Sequence, residues 1–317
     1  MTMSSGPGRA CVLVLGMHRS GTSAMTRTIH AMGAALPSNL IDPSADNEEG
    51  FWESEEIVKI HNDFLVAVGH GWNDPRLPTQ AMFDSPAAAT CRAALMAVLR
   101  RDFANETLFV VKDPRISILM PMWTGLLKEF GAKPFVLLGF RHPDEVALSL
   151  VKRRDGFVDS TNKAVAQHGR AVWLTHNLEA ERYSRAMPRS IVSYDDFLAD
   201  PAQSTQSLAE GLGCFETAQI AAGLDFAKTH WKSGMRNHAT TGDDGDLPVW
   251  VERMYAWLCA AARGEDPPTD DLDAMAEAMA QAQALYGPLI RAGRPSPALI
   301  RAPVLKRLAR RVAKIVG

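Results

Sequence analysis

Short apolar runs alternate with amphipathic segments over roughly the first 200 residues of the chain. The short runs are rich in valine, leucine and isoleucine, and from them we predict four buried strands, at 11–15, 108–111, 134–140 and 190–194. Apolar residues at helical spacing predict helices at 23–32, 54–68, 86–103, 116–130 and 163–186, and another that begins at Pro143. Strands and helices in alternation are typical of a parallel sheet covered by helices on both faces.

The pattern changes beyond about residue 200, where it becomes mostly helical. We therefore expect one α/β domain, 1–290, with a central parallel sheet flanked by helices and a mostly helical C-terminal part. The remainder, 291–317, is rich in lysine and arginine and has no acidic residue. From Ala298 it has the spacing of a basic amphipathic helix, which either lies on an anionic membrane surface or packs back on the domain.

The composition argues against several classes of protein. A hydrophobic content of 46% over 317 residues is enough for a large core, and a net charge of −2 gives no indication of nucleic-acid binding. No apolar run is long enough to span a bilayer, and no secretory signal is expected. The cysteines are scattered without a C-x-x-C motif, which favours reduced thiols in a cytoplasmic protein over a metal site or a disulfide framework.

The segment after the first predicted strand has the properties of an anion-binding loop. The strand ends at Gly16, a short polar loop follows, and helical spacing begins at Ser23. In a strand–loop–helix arrangement, unpaired backbone N–H groups and the positive end of the helix dipole surround one anion. We therefore expect residues 16–23 to hold a phosphate group.

This loop differs from the loop of nucleoside-triphosphate enzymes, which reads G-x-x-x-x-G-K-[ST]. Gly16 and Gly21 have the same spacing, but Thr22 stands at the lysine position. The strong cation of the loop is Arg19, and its hydroxyls come from Ser20, Thr22 and Ser23. We therefore expect a P-loop-type α/β domain whose loop binds a compact 5′-phosphate group and not a metal-bound triphosphate.

Cationic residues follow three of the predicted strands, at 16–23, 112–115 and 141–153. Because ligands bind beyond the carboxyl ends of parallel strands, these segments are expected to build an anion site for more than one phosphate-like group. Arg141 follows its strand directly, and Arg141 and Ser149 are expected to close on a second phosphate. Arg153 shares a helical face with Ser149 because the two are four residues apart, and a solvated position is its alternative.

The loop 16–23 and the later segment 140–149, in this order, resemble the corresponding segments of the sulfotransferases that use 3′-phosphoadenosine 5′-phosphosulfate (PAPS). The segment Gly16-Met-His-Arg-Ser-Gly-Thr-Ser23 is similar to the family's 5′-phosphosulfate loop, and Phe140-Arg-His-Pro143 through Ser149 is similar to its 3′-phosphate element. An arginine in the loop, where many cytosolic members have lysine, is more similar to the tyrosyl-protein and bacterial carbohydrate branches. The resemblance extends from about residue 10 to 200, and more weakly to about 240.

The resemblance implies a site for PAPS, with adenosine 3′,5′-bisphosphate as the product and no metal ion. The 5′ end of PAPS is expected on His18, Arg19, Ser20, Gly21, Thr22 and Ser23. Its 3′-phosphate is expected on Arg141, Ser149 and Arg153, under a basic loop that contains Arg236 and His238. Tyr194 stands where the family has a tyrosine near the adenine.

Sulfuryl transfer is an in-line displacement, in which positioned cations and N–H groups stabilise charge on the sulfonate oxygens. The resemblance implies that Arg19 neutralises the leaving 5′-phosphate and that Lys112 follows charge onto the bridging oxygen. The acceptor hydroxyl also needs a general base. We favour Glu53, which follows two aromatic residues that would desolvate it and raise its pKa, over the alternatives Glu48, Glu49 and His61.

The expected activity is transfer of a sulfuryl group to a hydroxyl of a carbohydrate, a glycolipid or a related acceptor. Two alternatives are open: a nucleotide-dependent kinase, with Asp113 as the candidate metal ligand, and a nucleotide-binding protein without activity. The protein is expected in the cytoplasm, and its basic tail adds the hypothesis of peripheral contact with the inner face of the membrane. We expect no nucleic-acid partner, and the sequence does not indicate an oligomeric state.

Overall fold

A computed structural model describes residues 8–44, 47, 49–153, 161–231 and 247–292, with the side chains of 153 and 286–292 left out. Its sheet contains the strands β1 (Arg9–Leu15), β2 (Leu108–Lys112), β3 (Ala132–Phe140) and β4 (Arg189–Ser193). The strands pair in parallel, in the order β2-β1-β3-β4. The predicted α/β class with a central parallel sheet is therefore confirmed.

Helices flank the sheet, and most begin and end close to the predicted bounds. They are α1 (Thr22–Ala31), α2 (Glu55–Ala67), α3 (Gln80–Phe83), α4 (Pro86–Phe103), α5 (Ile116–Phe130), α6 (Pro143–Arg153), α7 (Asn162–Ser184), α8 (Tyr194–Ala199), α9 (Pro201–Leu212), α10 (Thr217–His230), α11 (Val249–Ala262) and α12 (Asp270–Ala292). The short helices α3 and α8 are absent from the prediction because fewer than two turns give no periodic signal.

The strand β1 lies inside the sheet and is buried on both faces. Val12 and Val14 pack in a core with α1, α9 and α10, whereas Leu13 and Leu15 pack in a second core with α2, α4, α5 and α7. Successive side chains of a strand point to opposite faces, so one continuous apolar run supplies both cores. Packing on both sides fixes the carboxyl end of β1 between those of β2 and β3.

The connections after β1 and β3 leave the sheet on opposite faces. The helix α1 follows β1 and packs in the core of Val12, while α6 and α7 follow β3 and pack in the core of Leu13. Since β1 and β3 are neighbours in the sheet, their loops diverge at the carboxyl edge and leave a crevice between them. Ligands of open α/β sheets bind in such a crevice, which here lies between loops 16–21 and 141–142.

The end of β4 differs from the prediction, which placed Tyr194 in the strand. The strand ends at Ser193, whose hydroxyl accepts a hydrogen bond from the backbone N–H of Asp196, at 3.4 Å, and caps α8. Tyr194 is thus the first residue of a helix, at the carboxyl edge of the sheet.

Within the described ranges, every helix is either too short or too polar to span a bilayer. The helix α12 ends at Ala292, and the predicted amphipathic helix of the tail lies outside the described residues. Membrane contact through the tail therefore stays a prediction.

Candidate functional site

The loop after β1 lies directly against β3, and its first glycine makes this approach possible. Gly16 has a φ of +126°, and a Cβ atom on it would stand 2.1 Å from the carbonyl oxygen of Gly139. A larger residue would push the loop away from the strand and would also be strained at this φ. The loop therefore begins at the crevice between β1 and β3.

The loop turns through two residues in the left-handed region, Arg19 at φ +73° and Gly21 at φ +77°. This conformation costs a residue with a side chain about 1–2 kcal/mol, so the surrounding fold must hold Arg19 there. Turns of this kind direct successive backbone N–H groups into a concave anion site. The helix α1 begins directly after Gly21 and adds the positive end of its dipole.

Two side chains of the loop have buried polar atoms whose hydrogen bonds are not satisfied. Ser20 is fully buried, and among the described residues its hydroxyl has no hydrogen-bond partner. The Nε2 atom of His18 also has no hydrogen-bond partner among the described residues. The His18 ring packs edge-on against Trp72, with 4.7 Å between the ring centres. Such atoms are rare in folded proteins and can mark a ligand or water site. The loop therefore fits an anionic ligand.

Arg19 links this loop to α6. Its Nε atom donates a hydrogen bond to the hydroxyl of Ser149, at 2.8 Å. The resemblance assigns these two residues to different phosphates of one ligand, whereas the structure places them in direct contact. They therefore belong to one continuous site across the crevice.

Arg141 lies on the other side of the crevice, at the end of β3. Its Nε atom donates to the carboxylate of Glu145, one helical turn on, and both side chains are buried. The indole N–H of Trp173 donates to the carbonyl oxygen of Arg141, at 3.1 Å, and holds the backbone in place. A buried cation at a strand end needs an anion nearby, and here the protein supplies one in Glu145.

Tyr194 joins the loop and Arg141. A Cβ atom on Gly21 would stand 1.9 Å from Cδ2 of Tyr194, so the ring lies where only glycine gives it room. The guanidinium carbon of Arg141 lies 5.4 Å from the ring centre. Burial raises the pKa of Tyr194, while the charges of Arg141 and Arg19 oppose this effect. The neutral ring therefore forms an aromatic wall beside both arginines.

Lys112 and Glu53, fifty-nine positions apart in the sequence, meet beside the anion loop. They form a buried ion pair. The ammonium of Lys112 also donates to the carbonyl oxygen of Phe51, at 2.9 Å, and to the hydroxyl of Ser23 in the first turn of α1, at 3.3 Å. Burial raises the pKa of Glu53, and the charge of Lys112 opposes the shift. The site thus holds a carboxylate of increased basicity next to a cation.

The other candidates for the general base are placed differently. Glu49 forms an ion pair with Arg27 and has a half-exposed side chain, 3.5 Å from Nε2 of His230. Glu48 lies outside the described residues. The exposure and pairing of Glu49 therefore give no support to a proton-transfer role for it, in contrast to the buried Glu53, whereas Glu48 cannot be compared with the structure.

His61 is fully buried and both of its ring nitrogens are occupied. The indole N–H of Trp123 can only donate, so Nε2 of His61 accepts from it, at 3.0 Å. Nδ1 of His61 then carries the proton and donates to Oδ2 of Asp113, at 2.7 Å. His61 therefore has no nitrogen left to take a proton from a substrate.

Asp113 belongs to the same buried network. Its Oδ1 atom accepts from Nη1 of Arg115, at 2.8 Å, and Nε of Arg115 donates to Oδ1 of Asn62, also at 2.8 Å. Burial by itself would raise the pKa of Asp113, but the charge of Arg115 and the hydrogen bond from His61 hold it well below its ordinary range. Both carboxylate oxygens have protein donors, which argues against Asp113 as the metal ligand of a kinase. The described residues contain no group of three or more His, Cys, Asp or Glu side chains placed to hold a metal ion.

We expect Asp113→Asn to destabilise the fold by about 3–5 kcal/mol near pH 7, because the amide leaves Arg115 without its buried counter-charge and places an N–H group opposite the N–H of His61. The native-state pKa of Asp113 is lowered, so its stabilisation is complete above the unfolded pKa of about 4 and decreases as the pH falls below that value. Urea unfolding at pH 7 and pH 3 measures this. A stability difference that stays constant between the two pH values would contradict the ionised Asp113.

Three predicted cofactor-binding positions cannot be compared with the structure. Arg153 ends α6, but its side chain is not described, and Arg236 and His238 lie outside the described residues. Glu145, the partner of Arg141, is not among the residues predicted from the sequence. Arg141 precedes the helix that begins at Pro143, so the spacing rule for ion pairs within a helix does not apply to it. The contact of the Phe51 carbonyl oxygen with Lys112 cannot be predicted from residue types, because every residue carries a backbone carbonyl.

The sequence matches no protein-family model and no curated protein. Solved structures similar to the chain include two sulfotransferase domains. The sulfotransferase domain from the Synechococcus PCC 7002 olefin synthase is 16% identical, with a TM-score of 0.46 over 83% of this chain and 98% of that one. The sulfotransferase domain from the curacin biosynthetic pathway is 16% identical, with a TM-score of 0.44 over 83% of this chain and 100% of that one. At these values the similarity indicates no activity for this chain.

Proposed function

We propose that the chain is a PAPS-dependent sulfotransferase that transfers a sulfuryl group to an acceptor hydroxyl. The observation that carries this proposal is the contact of Lys112 with both Glu53 and Ser23, which puts a buried carboxylate at the first turn of α1. A carboxylate beside an anion loop weakens anion binding by charge repulsion. A role as the base that takes the acceptor's proton explains why Glu53 lies there, whereas nucleotide binding alone does not.

The anion loop supplies the binding site for the 5′-phosphate. Arg19, the left-handed turn and the N-terminus of α1 direct positive charge to one place, and the unsatisfied hydroxyl of Ser20 faces no protein partner among the described residues. Thr22, at the position of the lysine in nucleoside-triphosphate loops, lowers the positive charge available for a triphosphate. These features fit one phosphate group whose ester carries the sulfonate.

The pair Glu53–Lys112 suits the two places where charge changes in the reaction, the acceptor oxygen and the departing phosphate oxygen. Bound PAPS supplies an activated sulfuryl group. Glu53 accepts the acceptor's proton as the acceptor oxygen bonds to sulfur, and burial has raised its pKa toward this task. Once Glu53 is neutral, Lys112 has lost its charged partner and can stabilise negative charge on the phosphate oxygen that departs. Arg19 stabilises the same phosphate from the loop.

We place the acceptor among the hydroxyls of carbohydrates and glycolipids. The support is the arginine in the anion loop, by which the sequence is more similar to the bacterial carbohydrate and tyrosyl-protein branches of the sulfotransferases. The same proposal places the protein in the cytoplasm, where PAPS would have to be supplied.

The direct test is transfer of radiolabelled sulfonate from PAPS to a glycan and glycolipid extract, with EDTA present. We expect labelled product without magnesium, and tight binding of adenosine 3′,5′-bisphosphate by calorimetry. Turnover of ATP with Mg²⁺, in place of sulfonate transfer, would identify a kinase and overturn the proposal. Binding of adenosine 3′,5′-bisphosphate without transfer to any acceptor would favour a nucleotide-binding protein.

The 3′-phosphate is proposed to bind to Arg141, which Glu145 orients from one side. We expect the double variant Arg141→Gln, Glu145→Gln, which removes both buried charges together, to lose about 1.5–3 kcal/mol of discrimination between adenosine 3′,5′-bisphosphate and adenosine 5′-phosphate. This corresponds to roughly ten- to 150-fold in the ratio of their dissociation constants. An unchanged ratio would show that the second phosphate binds elsewhere.

A further inference from the structure

Trp52, the residue before Glu53, has a backbone conformation that its side chain disfavours. Its φ is +59°, in the left-handed region, and Arg19 is the other residue with a side chain there among those described. The conformation costs about 1–2 kcal/mol and persists only where the surrounding structure imposes it. A strained residue next to a proposed general base points to a role in placing that base.

Two acceptors, one on each side of Trp52, meet on one ammonium group. The carbonyl oxygen of Phe51 accepts from Lys112, at 2.9 Å, and from the hydroxyl of Ser23, at 3.1 Å. The carboxylate of Glu53 pairs with the same Lys112. In an extended chain the carbonyl of one residue and the side chain two positions on do not converge on one atom. The left-handed φ of the residue between them changes the direction of the Phe51 carbonyl and makes this convergence possible.

The chain is anchored firmly on the far side of Glu53. The carbonyl oxygen of Glu53 accepts from the backbone N–H of Ile41, at 2.8 Å, and the N–H of Glu55 donates to the carbonyl of Asn39, at 2.9 Å. The hydroxyl of Ser54 caps α2 by accepting from the N–H of Ile57, at 3.3 Å. The backbone after Glu53 is therefore fixed, and the conformation of Trp52 decides where the preceding carbonyl points.

Arg27 and its neighbours hold the ring of Trp52. The indole N–H donates to the carbonyl oxygen of Glu49, at 2.8 Å, and the Arg27 guanidinium lies 5.7 Å from the indole and pairs with the carboxylate of Glu49. Phe226 and Trp231 complete an aromatic cage around the same guanidinium, at 5.5 and 5.7 Å. Since Arg27 lies on α1, the cage connects the helix that starts at the anion loop with the segment that carries Glu53.

We propose that Trp52 is a positioning residue, which Arg27 holds in its left-handed conformation so that Phe51 and Glu53 meet on Lys112. This inference rests on the proposed function, because Glu53 is taken as the general base. The charged groups that act on Glu53 are Lys112, Asp113 and Arg115, and none of them is on the segment that carries Trp52.

The test is Trp52→Gly, because glycine tolerates a φ of +59° and the change removes the ring without adding strain. With the ring gone, the Phe51 carbonyl can turn away from Lys112 and open the buried pair of Lys112 and Glu53 to water. We expect kcat to fall about 100-fold, the loss typical of a misplaced catalytic group, with little change in the affinity for adenosine 3′,5′-bisphosphate. Burial is the main cause of the raised pKa of Glu53, so the acidic limb of the kcat/KM profile should move to lower pH.

Two further variants separate positioning from packing. Arg27→Gln removes the cation that holds the indole, and it should also lower kcat and move the acidic limb to lower pH. If Trp52→Gly does not fold, Arg27→Gln provides the test. Trp250→Gly removes an exposed indole in the first turn of α11, outside the cage around Arg27, so its pH profile should match that of the wild type. An unchanged kcat and pH profile in Trp52→Gly, or the same shift in Trp250→Gly, would overturn the inference.

A second readout does not depend on activity. Acetylation of Lys112 by acetic anhydride, followed by mass spectrometry, reports how well the ammonium is shielded. We expect faster labelling of Lys112 in Trp52→Gly than in the wild type, and unchanged labelling would contradict the inference. If the wild-type protein neither binds adenosine 3′,5′-bisphosphate nor transfers sulfonate, then the proposed function has failed, whatever the labelling shows.

Discussion

The variant Glu53→Gln should lower kcat by about 10²–10⁴-fold, the range expected when a general base is removed. Glutamine has the shape of glutamate, and its amide oxygen can still accept a hydrogen bond from Lys112. It cannot take a proton from an acceptor hydroxyl. Binding of adenosine 3′,5′-bisphosphate should stay the same or become slightly tighter, because a negative charge near the anion loop is removed. Initial rates and calorimetry on the same preparation measure both effects.

A matched control lies three positions along the chain. Glu56 is on the surface of α2, where its carboxylate pairs with Arg101 and is partly exposed. The variant Glu56→Gln should retain the wild-type rate because this ion pair is far more solvated than that of Glu53. If Glu53→Gln also retains that rate, then Glu53 is not the general base.

The second large effect is expected at Arg19. Loss of its guanidinium should lower the transfer rate by at least about 10³-fold, because this cation faces the phosphate on which charge develops. Two variants separate the charge from the backbone. Arg19→Ala leaves a side chain at a φ of +73°, whereas Arg19→Gly fits this conformation. Both should be inactive, and the glycine variant should be more stable than the alanine variant by about 1 kcal/mol in urea unfolding.

The two readouts of this pair of variants are independent. Loss of activity in both variants reports the role of the guanidinium, and the difference in stability between them reports the left-handed backbone. Transfer at a rate near that of the wild type by either variant would contradict the role of Arg19. Equal stability of the two variants would show that the left-handed turn is not retained in solution.

The parts of the fold that follow from local chemistry were predictable. The strands β1 and β3 are continuous apolar runs, and the loops after them carry glycine and arginine, so both the sheet and the edge that holds the site follow from patterning. The order of the strands does not follow, because it depends on packing between distant segments. The end of β4 was misplaced by one residue because Ser193 acts as a helix cap.

The site was predictable as a set of residues but not as a set of contacts. Lys112 and Glu53 were singled out separately, and only the fold shows that they form a pair. The sequence places Arg19 and Ser149 on different phosphates, whereas in the fold they are in contact because α6 follows β3, the neighbour of β1. The left-handed backbone of Trp52 has no sequence signal, since the fold and not the residue type imposes it.

The central claim is that a single adenosine 3′,5′-bisphosphate occupies the crevice between β1 and β3. A crystal structure of the protein with this molecule is the most direct test. We expect the 5′-phosphate on Arg19 and the N-terminus of α1, the second phosphate on Arg141 and Ser149, and the leaving oxygen facing Lys112. A complex with Arg19 turned away from the nucleotide, or with the nucleotide outside the crevice, would contradict the account.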